Sequence, residues 1–157
     1  MSEFSIKSFG ILINNLNNSQ HSYMLVDNIN TLLRQHYEYS PIIFYQNIGK
    51  CVLPLLCCHM YMQQAWGFKG TLISTDITTT IILDKCLTTR KKIFYVFDLE
   101  WITQSNKPYS LFKSIYDNPE ISLLARSSSH FDILKKTWKT PIGILNEYNH
   151  EELIKFI

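Results

Sequence analysis

The chain has 157 residues, 46% of them hydrophobic and 18% charged, with a formal net charge of +2. That balance excludes a disordered polymer and allows one domain, residues 1–157, with a sizeable core. With so small a net charge, and only Arg34, Arg90 and Arg126 as arginines, the sequence argues against a nucleic-acid partner.

Short apolar runs alternate with amphipathic stretches along the chain. "FGILI" (Phe9 to Ile13) is expected to be a buried strand, and "SYMLVDNINTLLRQH" a helix, because Met24, Ile29, Leu32 and Leu33 recur at helical spacing. "PIIFYQ" (Pro41 to Gln46) follows as a second strand. "VLPLLCCHMYMQQAW" is apolar almost all round and predicts a well-covered helix, with Pro54 in its first turn. "TLIS" (Thr71 to Ser74) is a third strand, and Thr75 or Asp76 is placed to cap a helix over "TDITTTIILDKCL". "KIFYVF" is a fourth strand, "YSLFKSIY" a short helix after Pro108, and "ISLLA" (Ile121 to Ala125) a fifth strand. "SSSHFDILKKTWK" forms the next helix, "PIGILNE" a sixth strand, and "NHEELIKFI" a last helix opened by Asn149.

The expected strands are continuously apolar rather than alternating, as strands covered on both faces are. Strands in turn with helices then predict an α/β fold: a doubly wound, mostly parallel six-stranded sheet with helices on both faces.

Ligands of such sheets bind beyond the C-terminal strand ends, near the point where strand order reverses. The residues expected there are polar. Asn14, Asn15, Asn17, Asn18 and Ser19 follow the first strand, and Gln46 and Asn47 the second. Ser74, Thr75 and Asp76 follow the third, and Asp98, Glu100 and Trp101 the fourth. Arg126, Ser127, Ser128, Ser129 and His130 follow the fifth, and Asn146 and Glu147 the sixth.

Dinucleotide folds need glycines after the first strand so that backbone can approach the pyrophosphate. Here that loop is "NNLNNSQHS", and no G-x-x-x-x-G-K-[ST] occurs. NAD, FAD and P-loop nucleotides are therefore excluded as cofactors, and none is expected. Asparagine side chains in the loop offer donors and acceptors suited to sugar hydroxyls or peptide groups, or they close local turns.

Asp98 and Glu100 would point the same way if the strand continued through them. They could hold a divalent cation through oxygens, divide acid and base roles, or cap a turn beside a packed Trp101. In "ARSSSHFD", Arg126 leaves a buried strand and serines open a helix, an arrangement suited to an anion or to plain capping. Ser129, His130 and Asp132 lie too close together along one helix for a nucleophile relay, and no G-x-S-x-G occurs. Cys57-Cys58-His59 has the wrong spacing for tetrahedral zinc, and no metal is expected.

Cys51, Cys57, Cys58 and Cys86 form no C-x-x-C pair, no secretory leader opens the chain, and no apolar run reaches ~18 residues. A reduced cytoplasmic protein with buried thiols is expected, with no membrane contact. Ile, Asn and Lys fill over a quarter of the chain, which suggests an AT-rich bacterial or viral genome; a viral chain would work in the host cytoplasm.

The order of features, from the loop after the first strand through "KIFYVFDLEW" to "ISLLARSSSHFDILKKTWKTPIGILNEYNHEELIKFI", resembles the N-terminal, acceptor-side half of glycosyltransferases of the GT-B fold, a Rossmann-like half-domain. The tail from Pro141 is similar to the segment that leads to that family's interdomain crossing. There a second domain holds the nucleotide-sugar donor, and it would begin where this chain stops. The resemblance thus implies a derived, non-catalytic binding or interaction domain of phage origin, or else a glycosyltransferase or a subunit of one completed by a partner. In the enzyme reading Asp98, Glu100 and His130 are the catalytic candidates. Asn14, Asn15, Asn17, Gln46, Asn47, Thr75, Asp76, Trp101, Arg126, Ser127 and Ser128 are the ligand-binding candidates, for a sugar or nucleotide sugar. Nine tyrosines, nine phenylalanines and three tryptophans point to a protein partner or a homo-oligomer.

Overall fold

The computed structural model describes residues 6–157. Its elements run β1 (Lys7–Leu16), α1 (Gln20–Gln35), β2 (Tyr39–Ile48), β3 (Cys58–Tyr61), a 3-10 helix (Met62–Gly67), β4 (Thr71–Ser74), α2 (Ile77–Asp84), β5 (Lys91–Val96), α3 (Glu100–Thr103), α4 (Tyr109–Tyr116), β6 (Ile121–Ala125), α5 (Ser128–Thr137) and α6 (His150–Leu153). The six strands form one sheet in the order β3-β2-β1-β4-β5-β6, and every pairing is parallel. This is the open, doubly wound, Rossmann-like order, reversing direction between β1 and β4.

Residues alternate between the two faces of the sheet, and each face carries its own core. Phe9, Ile11 and Ile13 of β1 and Ile43 and Tyr45 of β2 pack on α1 and the C-terminal segment. On the opposite face Phe94, Val96 and Leu123 pack under α2, α4 and α5, while Leu12, Phe44 and Leu72 meet the 3-10 helix and the end of α2. The two halves wind outward on opposite faces, which a single crossover hand requires. Gly10 leaves room for side chains of both neighbouring strands: a Cβ there would come within 2.6 Å of the Leu72 and Phe44 side chains. Among the described residues no helix is long and apolar enough to cross a membrane.

Two expected elements are corrected. The helix predicted over "VLPLLCCHMYMQQAW" is instead an extended loop, then β3, then the 3-10 helix. Buried Asn30 explains the extended path: its amide donates to Pro54 O over 2.8 Å, and its carbonyl accepts from Leu56 N over 3.2 Å. Those backbone groups are held by a side chain and are not free for helical bonds. Met60 and Tyr61, which a covered helix would have buried, are exposed, and Cys58 is an exposed rather than a buried thiol. The sixth strand therefore comes from this stretch and not from "PIGILNE", which contributes one bridge, Ala125 to Ile144. The final helix shortens to His150–Leu153.

Candidate ligand-binding cleft

Where strand order reverses, the loop after β1 leaves towards one face and the loop after β4 towards the other. A cleft of about 510 Å³ opens at that point. Asn14 comes from β1, His21 from the first turn of α1, and Thr75 and Asp76 from the start of α2. Asp98, Leu99 and Glu100 follow β5, and Thr103, Gln104 and Lys107 close the far wall.

Local chemistry fixes most of these groups. Asp76 caps α2: one oxygen accepts from Thr79 N over 2.7 Å, in a reciprocal capping box. Its other oxygen accepts from the Asn14 amide over 3.0 Å. Burial pushes the Asp76 carboxyl above its ordinary range, against those hydrogen bonds. Thr75 donates to Leu12 O over 2.9 Å, tying the neighbouring strands below the cleft.

The strand that was to carry Asp98 and Glu100 on one face ends at Val96, and Glu100 begins α3. The two carboxylates still line one cleft, in different environments. Glu100 is buried; it accepts from Ile77 N and from the Gln104 amide, both over 2.8 Å, with the Lys107 ammonium 3.9 Å away. Burial raises its pKa above the ordinary value. Asp98 is exposed and, among the described residues, makes no hydrogen bond or ion pair. Its oxygens are free for a ligand.

His21 was not among the sequence candidates. It lies within the loop "NNLNNSQHS", two residues beyond Ser19, where the candidates drawn from that loop ended, and the structure places it in the first turn of α1. Extending the strand-end rule into the first helical turn would have found it. The imidazole stacks on Phe97 at 4.2 Å, and its Nε2 lies 2.5 Å from the Tyr148 hydroxyl. Burial holds its pKa down at about 4; the Asp98 carboxylate pulls upward and the Arg126 guanidinium downward. At neutral pH the ring is therefore uncharged. Tyr148 reaches it because Glu147 and Tyr148 both adopt left-handed backbone, with φ of 47° and 62°. That conformation costs on the order of 1 kcal/mol per residue, and full burial of the Tyr148 ring offsets it.

The structure thus brings Asn14, Thr75, Asp76, Asp98 and Glu100 together and places the other candidates elsewhere. Asn15 and Asn47 hydrogen-bond to each other over 3.2 Å. Asn17 accepts from Ser19 N, closing an Asx turn before α1. Gln46 sits by Met62 and Trp66, and Trp101 packs edge-on against Tyr116 and Trp138. Arg126 lies 4.0 Å over the Phe97 ring and 3.6 Å from Glu147, behind the cleft wall. Ser127 caps α5, Ser128 begins it, and His130 lies in its first turn with a buried, unpartnered Nδ1.

Among the described residues no group of three or more His, Cys, Asp or Glu is placed to hold a metal ion. No family model, curated protein or solved structure matches the chain.

Proposed function

We propose that the chain is a binding module built on a glycosyltransferase-like half-domain. It holds a small hydroxyl-rich ligand, a sugar or the sugar portion of a nucleotide sugar, in the cleft between β1 and β4, without transferring it. The disposition of the three cleft carboxylates carries this reading. Asp76 and Glu100 each spend one oxygen on a backbone amide that opens α2 and the other on a side-chain amide, of Asn14 and Gln104, and among the three only Asp98 remains free. One free carboxylate beside the Asn14 and Gln104 amides and the Lys107 ammonium offers acceptors and donors for hydroxyl groups. The neutral His21 ring and Leu99 add apolar surface for a sugar's C–H face.

Calorimetric titration with free hexoses and with UDP-glucose, followed by NMR of the same samples, tests it. Saturable binding of unaltered ligand, weakened at least tenfold in Asp98→Ala with an unchanged melting temperature, supports the reading. Absence of binding, or release of nucleotide, would overturn it.

One observation favours the alternative, a glycosyltransferase or a subunit of one. His21 is neutral at physiological pH and lines the same cleft as Asp98, whose charge acts on it. Against it, an imidazole with a pKa of about 4 is a weak base, and its Nε2 is already engaged by Tyr148. Sugar transfer that Asp98→Ala or His21→Ala abolished would decide for the enzyme.

A further inference from the structure

The two edges of the sheet are finished differently. Along β6, Ile142 N donates to Leu123 O, Ala125 N to Gly143 O and Leu145 N to Ala125 O, over 2.8, 3.0 and 2.8 Å. That edge is covered by the chain's own returning segment. β3 forms the opposite edge, pairs only with β2, and exposes all four of its residues. Soluble proteins ordinarily guard such an edge with lysine, proline, a bulge or a covering loop. β3 reads Cys58-His59-Met60-Tyr61, and no charged residue occurs between Lys50 and Lys69. Around it Val52, Leu56, Met60, Tyr61 and Trp66 are 63%, 50%, 37%, 59% and 59% exposed.

We propose that β3 pairs antiparallel with β3 of a second copy of this chain, joining two sheets across a two-fold axis. Charge favours a second copy as the occupant. A two-fold axis sets each residue of the edge against itself or a close neighbour, so a charged edge would face like charges. Here there are none to face. Both faces of the strand also contribute apolar surface. His59 and Tyr61 lie on the side of Tyr45, whose ring is 5.0 Å from that of Tyr61, and Cys58 and Met60 lie on the other. A copy of the same strand brings matching apolar groups to both. With the β6 edge covered, pairing at β3 closes at two chains and does not propagate. Four residues of ladder bury little surface by themselves, so Val52, Leu56 and Trp66 flank the contact and complete it.

Sedimentation of the full chain under reducing conditions tests this. At about 200 µM the expected species is a dimer, twice the 18.5 kDa chain. Met60→Lys and Tyr61→Lys place like charges across the axis and should each give monomer, with unchanged far-UV circular dichroism. Facing Cα atoms of antiparallel strands lie about 4.5–5.5 Å apart, within disulfide reach. In a Cys51→Ser, Cys58→Ser background, whichever of His59→Cys and Met60→Cys sits on the axis faces its own copy and should therefore yield a covalent dimer on mild oxidation, while the other lies a diagonal of about 7–8 Å from its copy and should not. This second route does not depend on the lysine variants folding. A monomeric native chain overturns the proposal and leaves the edge to an extended segment of a different protein. A dimer that survives both lysine variants, or the absence of both crosslinks, also overturns it.

Discussion

The Asn14 amide donates to the Asp76 carboxylate over 3.0 Å and so ties the end of β1 to the start of α2, across the point where strand order reverses. The bond fixes the floor of the cleft and leaves the Asp98 carboxylate as its free acceptor. Asn14→Ala should cost about 1 kcal/mol and Asp76→Ala about 2 kcal/mol, since the second also removes a helix cap. A double-mutant cycle by urea denaturation should give a coupling of about 0.5–1.5 kcal/mol. Additive losses would mean that the two side chains do not interact.

Glu100 is predicted to matter for stability more than for ligand contact. Its Oε1 accepts from Ile77 N at the opening of α2. Glu100→Ala leaves that buried amide unpartnered and should cost about 1–3 kcal/mol. Glu100→Gln keeps an acceptor and should cost less. For a domain of this size each kcal/mol corresponds to about 2–4 °C in the melting temperature. Equal melting temperatures for the two variants would remove the capping role.

Asn30 should control whether β3 stays on the sheet. Its amide holds Pro54 O and Leu56 N, the two anchors of the loop that leads into β3. Asn30→Leu leaves both backbone groups without partners and should cost about 2–4 kcal/mol. Amide hydrogen exchange should then quicken first in Cys58–Tyr61 and leave β1 protected. Uniform quickening across the sheet would contradict a local clamp.

The His21 pKa sets a sign for pH dependence. Burial lowers it from 6.5 to about 4, so between those values the unfolded chain binds a proton that the folded chain refuses. Stability is lost as pH falls through that window. Asp76 and Glu100, raised by burial, act oppositely: just above their ordinary values the folded chain keeps protons that the unfolded chain has released, and stability falls as pH rises there. His21→Phe isolates the imidazole. Relative to the native chain it should gain on the order of 3 kcal/mol as pH falls across the window. Urea denaturation at each pH reads this difference, and a constant offset would mean an ordinary histidine.

Much of this architecture was legible locally. Tyr109–Tyr116 and Ile121–Ala125 form the predicted helix and strand without displacement, because Pro108 opens the one and an apolar run bounded by polar residues defines the other. The isoleucines and threonines of α2 weaken a helix by propensity, yet the Asp76–Thr79 capping box starts one. The helix predicted across Val52–Trp66 failed for a non-local reason. Asn30, over twenty residues away, fixes the backbone at Pro54 and Leu56, and β2 offers the ladder that Cys58–Tyr61 joins. Strand-end reasoning named Asn14, Thr75, Asp76, Asp98 and Glu100 but not their division of labour. Which carboxylate caps a helix and which stays free depends on where α2 and α3 begin. His21 takes its environment from Phe97 and Tyr148, both distant in sequence: the sheet places Phe97 at the end of β5, and the left-handed turn at Glu147 and Tyr148 brings in the Tyr148 ring.

Backbone and side-chain NMR during titration with a hexose and with UDP-glucose locates the bound ligand. Saturable shifts should concentrate at Asn14, His21, Asp98 and Gln104 and vanish in Asp98→Ala. Saturable shifts confined to another surface, or none at ligand concentrations of about 10 mM, would contradict a sugar-binding cleft between β1 and β4.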